Sequence, residues 1–168
     1  NPYGEDTETK TDLITILTAP GASFTQNVTA GNAPLDVAFT DLSTGNVTAW
    51  SWTFGDGETS TAQSPSHTYT AAGTYTVSLT ATNAYGEDTE TKTDLITILT
   101  APGASFTQNV TAGNAPLAVQ FTDTSTGNVT GWAWDFGDGN TSTDRNATHT
   151  YAAPGTYTVT LNANNPYG

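Results

Sequence analysis

Along most of this chain apolar and polar residues alternate one by one over short runs, and no long stretch shows helical spacing. From Ala49 to Phe54, the side chains of Trp50, Trp52 and Phe54 fall on one face of a strand, and Ala49, Ser51 and Thr53 on the other. Leu35, Val37 and Phe39 share a face in the same way within Leu35–Thr40. The clearest strand runs from Thr74 to Asn83, with Tyr75, Val77, Leu79 and Ala81 inward and a row of Thr and Ser outward. Shorter extended pieces are expected at Ala22–Gln26, Glu58–Thr61 and His67–Tyr69. Glu87–Leu99 ends in the apolar run Leu95-Ile96-Thr97-Ile98-Leu99. Gly55-Asp56-Gly57 and Gly73 supply turns, because Gly and Asp tolerate the positive φ that a tight hairpin needs. About seven strands in about 80 residues predict an all-β fold of two packed antiparallel sheets.

The whole pattern then returns 82 residues later without a gap, so that Trp50 matches Trp132, Phe24 Phe106, His67 His149 and Gly86 Gly168. Strict periodicity of this kind marks a modular array. Three parts are expected. Residues 1–18 read as an orphan last strand, residues 19–100 as a complete module, and residues 101–168 as a module that lacks its last strand. Asn1-Pro2-Tyr3-Gly4 returns as Asn165-Pro166-Tyr167-Gly168, two periods on, which suggests a two-module unit. Thr18-Ala19-Pro20-Gly21 and Thr100-Ala101-Pro102-Gly103 read as short, stiff junctions.

Composition narrows the function. Thr fills about a fifth of the positions, in keeping with strands rather than helices. Cys is absent, so disulfides and thiolate chemistry are excluded. A net charge of −13 with three basic residues argues against binding nucleic acid or anionic lipid. No apolar run is long enough for a membrane-spanning helix. No phosphate loop, nucleophile elbow or paired-carboxylate motif stands out.

The Ala-Pro-Leu lead-in, Trp-x-Trp-x-Phe-Gly-Asp-Gly, His-Thr-Tyr and Gly-Thr-Tyr-Thr-Val segments together resemble the polycystic-kidney-disease (PKD) repeat, in the form carried by archaeal and bacterial surface proteins. The resemblance covers nearly the whole chain. It implies tandem immunoglobulin-like β-sandwiches on the cell surface, acting as spacers, adhesion units, surface-layer components or accessory domains of secreted hydrolases. Some family members bind calcium through an acidic loop before the Trp strand. Here that loop, Asp41–Asn46 and its copy Asp123–Asn128, holds a single carboxylate, and the site is not carried over.

Each polar candidate has two readings. Asp56 and Asp138 are acids or, before Gly, turn formers. His67 and His149 are ligands or packed, hydrogen-bonded side chains. Trp50 and Trp132 are platforms for sugar rings or parts of the core. The acidic clusters Glu5-Asp6-Thr7-Glu8 and Glu87-Asp88-Thr89-Glu90 suit calcium between modules, or a solvated edge whose charge deters strand pairing. Asn27, Asn46, Asn109, Asn128, Asn140 and Asn146 open Asn-x-Ser/Thr sequons and are candidate sites for covalent glycans.

The expected function is a non-enzymatic extracellular structural protein, the repeat unit of a filament or surface layer, with a polysaccharide- or protein-binding module as the alternative. The expected partner is the chain itself, as a head-to-tail repeat or homopolymer. Glu5–Leu17 repeats Glu87–Leu99 residue for residue. Its apolar residues Leu13, Ile14, Ile16 and Leu17 therefore match the piece that residues 101–168 lack. Two linkages stay open: one covalent array, or donation of this strand to a neighbouring molecule.

Overall fold

The computed structural model describes residues 4–11 and 18–168. Every element among them is a strand. Residues 19–100 contain β1 (Phe24–Gln26), β2 (Ala30–Asn32), β3 (Leu35–Asp41), β4 (Ala49–Thr53), β5 (Thr59–Ser60), β6 (Ser66–Tyr69), β7 (Gly73–Asn83) and β8 (Gly86–Leu99). One sheet has the order β1-β3-β6 and the other β2-β8-β7-β4-β5. Residues 101–168 contain β9 (Phe106–Gln108), β10 (Leu117–Asp123), β11 (Gly131–Asp135), β12 (Thr141–Ser142), β13 (Ala147–Tyr151) and β14 (Thr160–Asn164). Their sheets are β13-β10-β9 and β12-β11-β14. The architecture is thus a tandem of immunoglobulin-like sandwiches.

Alternation located the central strands but not β2. Ala30-Gly31-Asn32 has no apolar rhythm, and its partner β8 lies far along the chain. The pairing is parallel (Ala30 with Thr97, Asn32 with Leu99), so the expectation of wholly antiparallel sheets is corrected at this edge. Single-residue alternation also fails within β8. Gly86–Lys92 pair with Val77–Asn83, then the register shifts between Tyr75 and Val77 before Ile96–Ile98 meet Gly73–Tyr75. Asp94 takes φ 52° at this bulge and its N–H donates to Thr76 Oγ1 at 3.2 Å. Ile96 and Ile98 then both face the interior and are fully buried.

The core of residues 19–100 is an aromatic chain. Trp52, wholly buried, meets Phe24 edge-on at 5.1 Å and Phe39 at 5.6 Å, and Phe39 meets Phe54 at 5.4 Å. These separations suit edge-to-face and tilted contacts between ring quadrupoles. The Trp52 indole N–H donates to Ala62 O at 2.9 Å, so the buried ring leaves no polar atom unpaired. Gly55 and Gly57 in the following turn have φ 88° and 97°, and a Cβ on Gly55 would sit 2.5 Å from Thr76 O. Only glycine fits there.

Residues 101–168 repeat this core around Trp134, but two parts are missing. Thr156–Val159, the counterparts of Thr74–Val77 in β7, carry no strand, and neither do Ala112–Asn114, the counterparts of β2. Both flank the place of β8. Without it their backbone groups have no ladder. The same residue types are then less covered: Phe24 and Val77 are buried, whereas Phe106 and Val159 are only half-buried.

Trp52→Ala is expected to cost about 3–5 kcal/mol, the range for deleting a buried aromatic ring. Trp50→Ala, on the same face but only half-buried at the margin of the core, should cost clearly less. Urea unfolding of both variants checks this, and equal losses would contradict the assignment of Trp52 to the core.

Candidate functional site: module junction and open edge

The residues singled out for chemistry are mostly absorbed by the fold. His67 lies flat on Phe54 (4.2 Å, 4°), meets Tyr69 edge-on at 4.6 Å, and places Nε2 2.6 Å from Asp56 Oδ2. The Asp56 Oδ1 accepts the Glu58 N–H at 3.0 Å, which closes the turn. His149, Phe136, Tyr151 and Asp138 repeat the arrangement. The turn-forming and packing readings of these residues therefore describe the structure. Burial would raise the Asp56 pKa, but the hydrogen bonds from His67 and Glu58 outweigh it and hold the group below its usual value. Asp138 is lowered chiefly by His149. Burial pushes the Tyr69 phenol well up, and its hydroxyl donates to Phe54 O at 3.0 Å.

Asp41 ends β3 and starts the loop that leads to β4. Its Oδ1 accepts the Ser43 N–H at 2.9 Å, and its Oδ2 accepts Trp50 Nε1–H at 2.8 Å and Gln63 Nε2–H at 3.1 Å. Trp50 is thereby fixed by its polar edge. In the second copy Arg145 replaces Gln63 and still donates to Asp123 Oδ2, at 3.2 Å, while its guanidinium lies over the Trp132 ring. Asn146 replaces Ser64 and its Oδ1 accepts the Asp123 N–H at 2.9 Å, as Ser64 Oγ accepts that of Asp41 at 3.1 Å. Burial would raise Asp41 and Asp123, yet Ser43 and Gln63 on one, and Ser125 and Arg145 on the other, hold both below the ordinary value. At these positions the two modules differ in residue and agree in hydrogen bond.

All six sequon asparagines are exposed. In four the amide oxygen is already engaged: Asn27 accepts Ala38 N–H, Asn109 Gln120 N–H, Asn128 Thr100 N–H and Asn146 Asp123 N–H. Such a bond fixes the side chain with its nitrogen, the atom that would carry a sugar, on the free side.

The junction is a second constellation. Thr100 N–H donates to Asn128 Oδ1 at 2.7 Å and Asn128 N–H returns to Thr100 O at 3.0 Å, which ties the exit of β8 to the second module. At the same junction Asn32 and Asn165, 133 residues apart, exchange amide hydrogen bonds: Asn165 Nδ2 to Asn32 Oδ1 at 2.8 Å and Asn32 Nδ2 to Asn165 Oδ1 at 3.3 Å. Asn165 is buried. Pattern reasoning missed this pair, because two polar residues so distant in sequence carry no rhythm.

The third feature is the open edge. Among the described residues nothing covers the sheet edges beside Val159 and Asn114. A groove of about 860 Å³ lies there, lined by Phe106, Val110, Leu117, Val119, Tyr157 and Val159 among others. In the first module β8 fills the equivalent space, and its acidic stretch has a role that neither calcium nor a solvated edge anticipated. Asp88 Oδ2 accepts Ala22 N–H and Glu90 Oε2 accepts Phe24 N–H, both at 2.8 Å. Lys92 lies over the Phe24 ring, 4.3 Å from its centre, and donates to Phe24 O. At the other end of the chain Gly4–Thr11 carry no strand and are exposed. Leu13, Ile14, Ile16 and Leu17 lie outside the described residues.

A tandem of immunoglobulin-like sandwiches, each with a Trp-centred aromatic core and a Phe-Gly-Asp-Gly turn, defines a class of modular β-protein. The chain belongs to the PKD domain family, whose model matches residues 18–98 and 100–168. It is 47% identical over 47 residues to "Collagenase ColA" of Bacillus cereus, a match over 28% of this chain and 5% of the collagenase. Among solved structures it is similar to the PKD1 domain of the Vibrio cholerae metalloprotease PrtV, at 36% identity and TM-score 0.42, covering 48% of this chain and 98% of that one. The PKD1 domain of Vibrio anguillarum Epp is similar at 31% identity and TM-score 0.42, covering 49% and 99%.

The four lowered carboxyls fix the sign of an acid effect. A depressed pKa stabilises the fold above the unfolded value, and that contribution fades as the pH falls through the folded value. Asp123→Asn should therefore be less stable than the parent at about pH 6, and the gap should be smaller at about pH 3. Thermal melts at both pH values check this; a gap that persists in acid would show that the carboxylate charge is not the cause.

Proposed function

We propose that this chain is a non-enzymatic structural repeat of an extracellular array, a filament or surface layer, in which sandwiches serve as rigid spacers. The observation that carries the reading is the junction. β8 completes one module and, through Thr100-Ala101-Pro102-Gly103, leads directly into the next, where the Thr100–Asn128 and Asn32–Asn165 bonds fix the angle. No floppy linker separates the modules. Substitutions that preserve hydrogen bonds, such as Gln63 against Arg145, favour a shared architecture over diversified binding faces. A charge of −13 keeps a repetitive surface soluble and discourages side-by-side aggregation. The fixed, outward asparagines suit covalent glycans, which fits an outside location. Similarity to a collagenase and to a PKD domain of a metalloprotease supports the same placement.

Those relatives also support the rival, an accessory module that binds polysaccharide or protein beside an enzyme. Against it, Trp50 and Trp132 are both half-buried against their cores, and the Trp132 ring also carries Arg145, which leaves less ring surface for stacking on sugar.

Immunogold labelling of the source cells with an antibody against the modules tests the reading. Regular label along surface filaments or over the envelope is expected. Label confined to a secreted hydrolase, with saturable glycan binding that Trp50→Ala or Trp132→Ala abolishes, would establish the rival instead.

A further inference from the structure

We infer that Asn27, Asn109 and Asn146 carry N-linked glycans and that Asn46, Asn128 and Asn140 do not, so that sugar lines the edges of the three-stranded sheets and leaves the junctions bare. This rests on the outside location proposed above and deepens it by assigning the modified atoms.

The selection follows from which amide atom the fold uses. β1 and β9 are edge strands of 3 residues each, and the chain leaves the sheet at the asparagine that follows. Asn27 N–H still donates to Ala38 O at 3.2 Å, but Ala38 N–H turns to Asn27 Oδ1 at 2.9 Å. The amide oxygen stands in for the backbone carbonyl that a longer strand would supply. Asn109 repeats both bonds with Gln120, at 3.1 and 2.9 Å. The target is backbone, so the change from Ala38 to Gln120 leaves the bond intact. Asn146 works from the opposite edge. It precedes β13, and its Oδ1 accepts the N–H of Asp123 at the end of β10.

A planar amide carries its oxygen and nitrogen on different sides of one carbon, so an oxygen pinned to the central strand turns Nδ2 away from it. All three residues are exposed, and their Nδ2 atoms have no hydrogen-bond partner among the described residues. Thr29, Thr111 and Thr148 complete their sequons. Attachment joins Nδ2 to C1 of a sugar supplied by a lipid-diphosphate-linked oligosaccharide. The C1–O bond to the diphosphate breaks, the lipid diphosphate leaves with the electron pair, and Nδ2 gives up one of its two protons. Oδ1 remains an acceptor, so the bonds to Ala38, Gln120 and Asp123 outlast the modification.

The other sequons lack this arrangement. Asn128 exchanges two bonds with Thr100 at the module junction, where a glycan would crowd the neighbouring sandwich. Asn46 occupies the equivalent end of the first module, next to Gly45, whose carbonyl shares Asn83 Nδ2 with that of Thr18. Asn140 lies in the tight turn, with its N–H on Asp138 Oδ1 at 3.1 Å and its side chain drawn to the same carboxylate. Sugar at the selected positions sets bulky, hydrated groups beside short edge strands, which deters pairing with other chains.

Glycopeptide mapping by mass spectrometry of the protein purified from its source cells tests the assignment. Sugar confined to Asn27, Asn109 and Asn146 is expected. Sugar at any of the other three, or a bare asparagine among these, would overturn it. The variant Thr29→Ala/Thr111→Ala/Thr148→Ala, expressed in the same cells, removes the sequons and keeps the asparagines with their bonds. Its intact mass should fall by three glycans with an unchanged near-ultraviolet spectrum, and a fall equal to the three replacements alone would count against the proposal. Mapping is independent of surface labelling. Bare asparagines under regular label would therefore remove the glycans and keep the array, and mapped glycans without label would do the reverse.

Discussion

Everything in this fold depends on a two-sided demand made by the last strand. A sandwich with a Trp-centred core must cover the groove between its sheets, and it must pair the sheet edges that flank that groove. β8 does both: Ile96 and Ile98 close the core, while its backbone bridges β7 on one side and β2 on the other. The two halves of the chain show the consequence directly. With β8 in place, the stretch Gly73–Asn83 is one continuous strand and Ala30–Asn32 pairs. Where its equivalent is missing, near-identical sequence is strand only from Thr160 to Asn164. Propensity did not change between copies, so the partner decided the strand.

The strand that completes one module also positions the next. Because β8 runs straight into the Thr100–Gly103 junction, the free energy that buries Ile96 and Ile98 also anchors the base of the second sandwich. The Asn32–Asn165 exchange then removes a degree of freedom that the proline alone would leave. A partly buried, doubly hydrogen-bonded amide pair resists opening, because parting it without water leaves three polar groups unpaired, Asn165 Oδ1 alone keeping a bond, from Tyr167 N–H. Rigidity of this origin suits a spacer. At the Asp41 and Asp123 loops, Gln63 and Arg145 differ in residue and both donate to the carboxylate.

The aromatic residues carry a similar double duty. His67 stacks on Phe54 and reaches Asp56, so the turn that follows the Trp strand is tied to the β1-β3-β6 sheet. A polar network placed over the end of the core substitutes for apolar area that a module of this size does not have. That use accounts for histidine, aspartate and tyrosine at positions which in isolation suggest chemistry.

The sequence by itself determined the all-β class, the central strands, the turn glycines and the 82-residue repeat, because each is a local pattern. Trp52 and Phe54 announce their burial by alternation, and Gly55-Asp56-Gly57 announces a turn by the φ values that only such residues accept. The identity of Glu5–Leu17 with Glu87–Leu99 was equally plain, since it needs only a comparison of letters. Tertiary structure alone decided the rest. It paired Ala30–Asn32 in parallel with β8, placed a bulge at Asp94 that brings Ile96 and Ile98 inward, and set Asp88 on the backbone just before β1 and Glu90 on its first residue. It also joined Asn32 to Asn165 across the junction. Each of these joins groups distant in sequence through hydrogen bonds, and hydrogen-bonded polar residues repeat with no period that a sequence reading can detect.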